Sequence, residues 1–326
     1  MIPKSGNRFS EKDHAPNSKS MIRIGVDFGG TKIEAAALDR DGRFLARVRA
    51  PTPRDYEAAL TVIADLVAGA ERQAGVPAGS KRFVGVATPG SISPKTGLIR
   101  NANSIWLNDR PFREDVSAKL GASVRMINDA NCLALSEASD GAAAGAAVVF
   151  AAILGTGCGG GVAVDGRVLE GANAVAGEWG HTPLPWPTAD EFPSPTCWCG
   201  RHGCLELYIS GTGFEADYRR ATGRTLAGAD IAAAARQGDA PAAAALARYF
   251  DRLGRGLAVI CNVIDPDVIV LGGGMSNVPE LYARLPEQIG RWIFSDVCLT
   301  PVLPAKYGDS SGVRGAAMLW PVTSDL

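Results

Sequence analysis

Met21-Ile22-Arg23-Ile24-Gly25-Val26-Asp27-Phe28-Gly29-Gly30-Thr31-Lys32 is the stretch on which the fold turns. An apolar run that stops in paired glycines reads as a buried strand delivering a tight turn. Ile33 to Leu38 continues extended, Asp39-Arg40-Asp41-Gly42 is a turn signal, and Phe44 to Val48 returns as a hairpin partner. Gly29 and Gly30 let backbone N–H groups approach phosphate oxygens. Thr31 adds a hydroxyl donor, Lys32 a cation, and Asp27 a carboxylate able to hold the water shell of Mg²⁺. A plain hairpin turn with a solvated lysine is the competing reading, and this loop alone does not separate the two.

The same plan restarts further on. Ala147 to Leu154 reads as a strand ending in Gly155-Thr156-Gly157-Cys158-Gly159-Gly160-Gly161. Gly161 to Val164, the turn Asp165-Gly166, and Arg167 to Leu169 form a second hairpin. Short strands are expected at Phe83–Ala87, Val124–Ile127 and Val268–Leu271. Helices are expected at Tyr56–Ala74, Cys132–Ala138, Phe214–Arg220, Asp230–Arg236, Pro241–Ile264 and Gly315–Trp320. This weak internal repeat predicts an α/β fold of two duplicated domains with a cleft between them. The expected division is a disordered polar tail over 1–20, a first α/β domain over 21–130, and a larger second domain over 131–311. A C-terminal helix at about 312–326 should pack back on the first domain.

The second glycine run contains G-x-G-x-x-G, but a dinucleotide fingerprint needs a helix directly after it. Here Val162-Ala163-Val164-Asp165-Gly166 reads as strand and turn, so the run is expected to cradle phosphate through Gly155, Thr156, Gly157, Gly159, Gly160 and Gly161. Gly272-Gly273-Gly274, after a very apolar strand, is a third close-approach site that on its own reads as a plain turn. Asn128-Asp129 lies between a strand and a helix. Either residue could cap the helix, or Asp129 could accept a proton from an attacking hydroxyl, with Asn128 orienting the acceptor.

Cys197-Trp198-Cys199-Gly200-Arg201-His202-Gly203-Cys204 packs three of the seven cysteines into eight residues, with His181 upstream. Three thiolates and an imidazole can close a tetrahedral zinc shell, which leaves no water position and makes the metal structural. The spacing leaves His181 and His202 both open as the fourth ligand. Cys132, Cys158, Cys261 and Cys298 read as buried bystanders, with Cys158 close to the cleft.

Composition bounds the rest. The 326 residues carry a net charge of −1, with 46% hydrophobic and 21% charged residues, as in a globular protein without a basic footprint for nucleic acid. The first 20 residues have no apolar signal-peptide core, and no run approaches the ~18 apolar residues of a membrane span. A cytoplasmic location and reduced thiols follow as expectations.

Taken in order, these motifs resemble the ROK family of sugar kinases over about residues 21–321. They are Asp27 to Lys32, Asn128 to Asn131, Gly155 to Gly161, Glu178-Trp179-Gly180-His181, Cys197 to Glu206, and Gly272 to Gly274. The resemblance implies an actin-like ATPase fold of two ribonuclease-H-like domains, with a zinc-clipped loop. It places ATP on the two glycine loops (Asp27, Gly29, Gly30, Thr31, Lys32; Gly155 to Gly161), Gly273 near the adenosine, and Mg²⁺ with the nucleotide. It makes Asp129 the catalytic base. It sets Asn103, Asn128, Asp129, Glu178, His181 and Glu206 around the sugar, and assigns zinc to His181, Cys197, Cys199 and Cys204. The segments Pro89 to Pro94, Asn101 to Asn108, Glu178-Trp179 and Gly308 to Gly315 look like the bacterial fructokinase or mannofructokinase branch. The expected activity is therefore transfer of the ATP γ-phosphoryl group to the 6-hydroxyl of fructose, with mannose as a second acceptor, by a homodimer. The family's sugar-responsive repressors carry an N-terminal helix-turn-helix, for which 1–20 is too short and too polar.

Overall fold

The computed structural model describes residues 22–321 except 78, 79 and 81; the expected tail at 1–20 lies outside the described residues. In the first half β1 (Arg23–Phe28) is followed by β2 (Lys32–Leu38) and β3 (Phe44–Pro51) as an antiparallel meander. Helix α1 (Tyr56–Gln73) starts where the Asp55 carboxylate accepts the Ala58 N–H. Then come β4 (Val84–Thr88), the small hairpin β5 (Ser91–Ile92) and β6 (Ile99–Arg100), α2 (Phe112–Leu120), β7 (Val124–Asn128) and α3 (Asp129–Ser139).

The second half repeats the order. It has β8 (Val148–Leu154), β9 (Cys158–Val164), β10 (Arg167–Val168), α4 (Glu206–Ile209), α5 (Gly211–Thr222), α6 (Gly228–Arg236) and α7 (Ala240–Ile264). It ends with β11 (Val268–Gly272), α8 (Glu280–Gly290), β12 (Val302–Pro304) and α9 (Ser311–Met318). The first sheet runs β3-β2-β1-β4-β7 and the second β10-β9-β8-β11-β12. In both, the central strand has an antiparallel neighbour on one side and a parallel one on the other. The two halves thus share one topology, that of the actin-like ATPase fold.

Period-two alternation divides each strand between two layers. In β8, Phe150, Ala152 and Leu154 join Leu253 and Leu257 of α7 and Leu281 and Leu285 of α8 in one apolar cluster. The intervening Val149 and Ala151 pack instead on Leu133 and Ala134 of α3. Ile24, Val26 and Phe28 of β1 face Leu60 and Ile63 of α1. Helices α3 and α9 fill the space between the sheets, and α9 packs directly on β1 and β4. The approach is backbone to backbone. A Cβ at Gly315 of α9 would run into the Cys132 carbonyl of α3. The residue division expected at 130/131 falls inside α3, which touches both layers.

Buried charged groups tie elements together. The Glu137 carboxylate of α3 accepts hydrogen bonds from Ala142 N, Lys306 N and Ser311 Oγ, tying α3 to the start of α9. Glu191 meets Arg252 and Arg255 of α7 at 2.7 Å each, and Arg252 also reaches Asp217 of α5 at 2.8 Å. Burial alone would raise the Glu191 pKa, but hydrogen bonds from Arg255 and Arg252 outweigh it and hold it at about 2.

Several boundaries differ from expectation. Helix α3 begins three residues before Cys132, because Asn128 caps it. Strand β9 begins at Cys158, so Gly159, Gly160 and Gly161 lie in the ladder opposite Ile153, Ala152 and Ala151 rather than in a loop. No helix among the described residues is long and apolar enough to cross a membrane.

Candidate functional site

A cleft of about 570 Å³ opens where the C-terminal ends of β4 and β7 face the β8–β9 turn. Its floor is the N-terminus of α3. Asn128 Oδ1 accepts the Ala130 N–H at 2.8 Å, and its amide nitrogen donates to Gly90 O at 3.2 Å. Asn128 is thereby a cap and a tie to the β4–β5 loop. Asp129 follows as the first helical residue, with one carboxylate oxygen also accepting the Ala130 N–H at 2.8 Å. Burial raises its pKa to about 6, with a further push from Glu178 and opposition from the backbone donor. A carboxyl group so placed can exchange a proton near neutral pH. Asp27, at the end of β1, is raised to about 7 by burial and by Asp129.

Two further carboxylates face Asp129 from the second half. Glu206 opens α4; its Oε2 accepts the Cys158 N–H at 2.8 Å and its Oε1 the Trp198 indole N–H at 2.7 Å. Glu178 is shifted up by burial, eased by His181 and reinforced by Glu206. His181 lines the cleft and turns Nδ1 toward Cys197 Sγ at 3.7 Å. Its ligand atom and those of Cys197, Cys199 and Cys204 all lie within 4.8 Å of one another, so this Cys₃His set could hold a metal ion. His202 sits outside it, with Nδ1 3.3 Å from Thr196 Oγ1. Short backbone bonds from Cys197 N to Arg201 O and from Gly203 N to Pro195 O fold the cysteine loop.

The β8–β9 turn is held in place by α5. Gly211 N and Thr212 Oγ1, from the first turn of α5, take the carbonyls of Gly155 and Thr156, each at 2.7 Å. Among the described residues the N–H groups of Thr156 and Gly157 have no protein acceptor. Fixed, unsatisfied amides at a turn form a phosphate-binding concavity.

Residues 23–323 match the model of the ROK family. The chain belongs to the ROK family. It is 39% identical over 300 residues to an N-acetyl-D-glucosamine kinase of Escherichia coli O127:H6, with 90% of this chain and 98% of that one covered. Among solved structures, a ROK hexokinase from Thermus thermophilus is 35% identical with a TM-score of 0.79, covering 91% of this chain and 97% of that one. A ROK family glucokinase from Streptomyces griseus, in complex with glucose and AMPPNP, is 31% identical with a TM-score of 0.76, covering 92% and 99%. None of these three is named for fructose.

In this ROK chain the structure brings Asn103, Asn128, Asp129, Glu178, His181 and Glu206 to one cleft, together with Gly155, Thr156, Gly157 and Gly159. Other expected positions lie elsewhere. Gly160 and Gly161 are buried, and a Cβ on them would strike the Gly177 carbonyl (2.6 Å) and the Ala130 carbonyl; they let α3 and the 177–179 segment close on β9. Gly273, at φ +82, packs on the end of β8, where a Cβ would come 2.7 Å from Leu154 C. Both roles explain the glycines without phosphate. Of the first loop, Gly29, Gly30, Thr31 and Lys32 are outside the cleft lining, and Lys32 Nζ lies 3.9 Å from Asp309. Trp179, read as a branch marker, is 4% exposed, packed edge-on to Phe150, with its indole N–H on Gly159 O. It is core. Sequence reasoning missed Asn101, Trp198, Thr212 and Arg220, which line the cleft. Only Trp198 carried a signal, as the large residue between two candidate metal-ligating cysteines.

Proposed function

We propose that the chain is an ATP-dependent hexose or aminosugar kinase that transfers the γ-phosphoryl group to the sugar 6-hydroxyl, with Asp129 as the base. The observation that carries this is the Asp129 carboxyl, raised to about 6, in one cleft with Glu178, Glu206 and the unsatisfied amides of the 155–157 turn. Asp129 keeps one oxygen on the Ala130 N–H, which fixes the other toward the attacking hydroxyl. Glu178, Glu206 and the free face of His181 orient the remaining hydroxyls. The Thr156 and Gly157 amides receive phosphate oxygens, and such preorganised donors stabilise the charge that develops during transfer.

Two metals belong to this reading. Among the described residues the Asp27 carboxylate has no hydrogen-bond donor and faces Asp129, which suits it to the water shell of an ATP-bound Mg²⁺. That ion would neutralise phosphate charge. The Cys₃His set fits structural Zn²⁺ by donor type and spacing. We place the moving bodies of the molecule at the two sheet layers. Their closure over the cleft would exclude water as a competing acceptor and bring the 29–32 loop toward the nucleotide.

N-acetyl-D-glucosamine is the substrate we propose first, with glucose next, because relatives at 39% and 31% identity that match this chain over nearly its whole length carry those names. Fructose loses the support that Trp179 lent it, since that ring is buried away from the cleft. ADP release measured across N-acetyl-D-glucosamine, glucose, mannose and fructose tests the assignment. The expected order has N-acetyl-D-glucosamine first by kcat/KM; a fructose value above the others would overturn it.

A further inference from the structure

Trp198 stands between Cys197 and Cys199, two of the four candidate metal ligands. A core role is excluded, because the ring is 56% exposed. Yet it is held at both ends. Its indole N–H donates to Glu206 Oε1 at 2.7 Å, and its ring meets His181 edge-to-face with centroids 4.9 Å apart. It also lines the cleft. Glu206 therefore has each carboxylate oxygen fixed by a different loop, one by Cys158 N of the strand after the phosphate turn and one by Trp198 of the cysteine loop. Two N–H donors leave lone pairs on both oxygens for sugar hydroxyls while removing the rotational freedom of the side chain.

We propose that Trp198 is a positioning and specificity residue of the sugar pocket: its N–H aims the Glu206 carboxylate, and its exposed ring is the apolar rim on which the C–H face of a hexopyranose packs. This deepens the kinase reading above and rests on it. A large aromatic face at the mouth of an otherwise acidic cleft favours a flat ring over an open or furanose form, whose C–H groups offer no continuous face. Aromatic residues supply such contact at low conformational cost.

Trp198→Phe and Trp198→Ala test it, each checked for bound zinc and thermal stability against wild type. Trp198→Phe keeps the rim and loses the donor; the expected result is a sugar KM raised about 10- to 150-fold, the value of a hydrogen bond to a charged group. The KM for ATP should stay within about twofold. Trp198→Ala should raise the sugar KM further. In the background of Glu206→Gln, Trp198→Phe should add less than it does alone, because the two act through one carboxylate. Sugar titration should also change the tryptophan fluorescence of wild type more than that of Trp198→Phe. A sugar KM within twofold of wild type in both zinc-loaded variants overturns the proposal and leaves the kinase reading standing. A wild-type protein that phosphorylates no hexose overturns both.

Discussion

At the scale of single residues, burial decides what Asp129 can do. A carboxyl group at a helix N-terminus would ordinarily ionise well below pH 4, since the terminus favours negative charge. Here loss of solvent, with Glu178 nearby, raises it to about 6. The base must be ionised to accept a proton, so kcat/KM for the sugar should be level above about pH 6 and fall as pH drops through that value. A pH–rate profile under saturating ATP checks this. A profile flat down to pH 4.5 would mean that another group takes the proton. Asp129 was one of two readings of a capping pair in the sequence. The structure divides the roles: Asn128 does the capping, and Asp129 is left facing the cleft.

Among the elements, the 181–206 segment joins candidate metal and candidate sugar contacts most tightly. His181, Trp198 and Glu206 all touch the cleft, and a metal held by His181, Cys197, Cys199 and Cys204 would pin the same segment. Removing zinc with a chelator should therefore raise the sugar KM by more than about tenfold while the ATP KM changes little. Metal analysis and parallel titrations of the two substrates would show it; equal loss of both would detach the loop from the sugar. These elements also mark what was legible. Strands and helices with strong periodicity were placed to within a few residues: β1, α1, β8 and α7 among them. The hinge of the error was glycine. In Gly155 to Gly161 the sequence shows one run, but only its first residues form a turn, and the rest are small because α3 and Trp179 crowd β9. Composition cannot distinguish a glycine that clears space for phosphate from one that clears space for a helix. Helix α8 escaped because Pro286 sits within it, though Leu281, Leu285 and Ile289 keep the helical spacing. Strand β12 escaped because Pro301 precedes it and Pro304 is the last of its three residues.

For the whole molecule, the repeat seen as pattern is a repeat of topology, and the site forms where the halves meet. The buried Glu191–Arg252–Arg255–Asp217 cluster left no sequence trace, because its two carboxylates are far along the chain from its two arginines. It has a measurable consequence. Glu191 is held at about 2, below its ordinary 4.5, so its contribution to stability is present above pH 4.5 and is lost as pH falls from there toward 2. Thermal unfolding followed from pH 6 to pH 3 should show a decline that Glu191→Gln flattens. At pH 7 that variant should be destabilised by about 3–5 kcal/mol, because two guanidinium groups lose a buried partner. An unchanged Tm at pH 7 would place the cluster outside the stability of the fold.

The central claim is that Asp129 moves the proton in a sugar-dependent phosphoryl transfer. ADP release by zinc-loaded wild type and Asp129→Asn, each with and without N-acetyl-D-glucosamine or glucose, tests it most directly. Wild type should release ADP only when sugar is present, and Asp129→Asn should fall by at least about 10²-fold in kcat with zinc content and sugar binding retained. Sugar-independent ADP release by wild type, or turnover by Asp129→Asn within a few-fold of wild type, would contradict it.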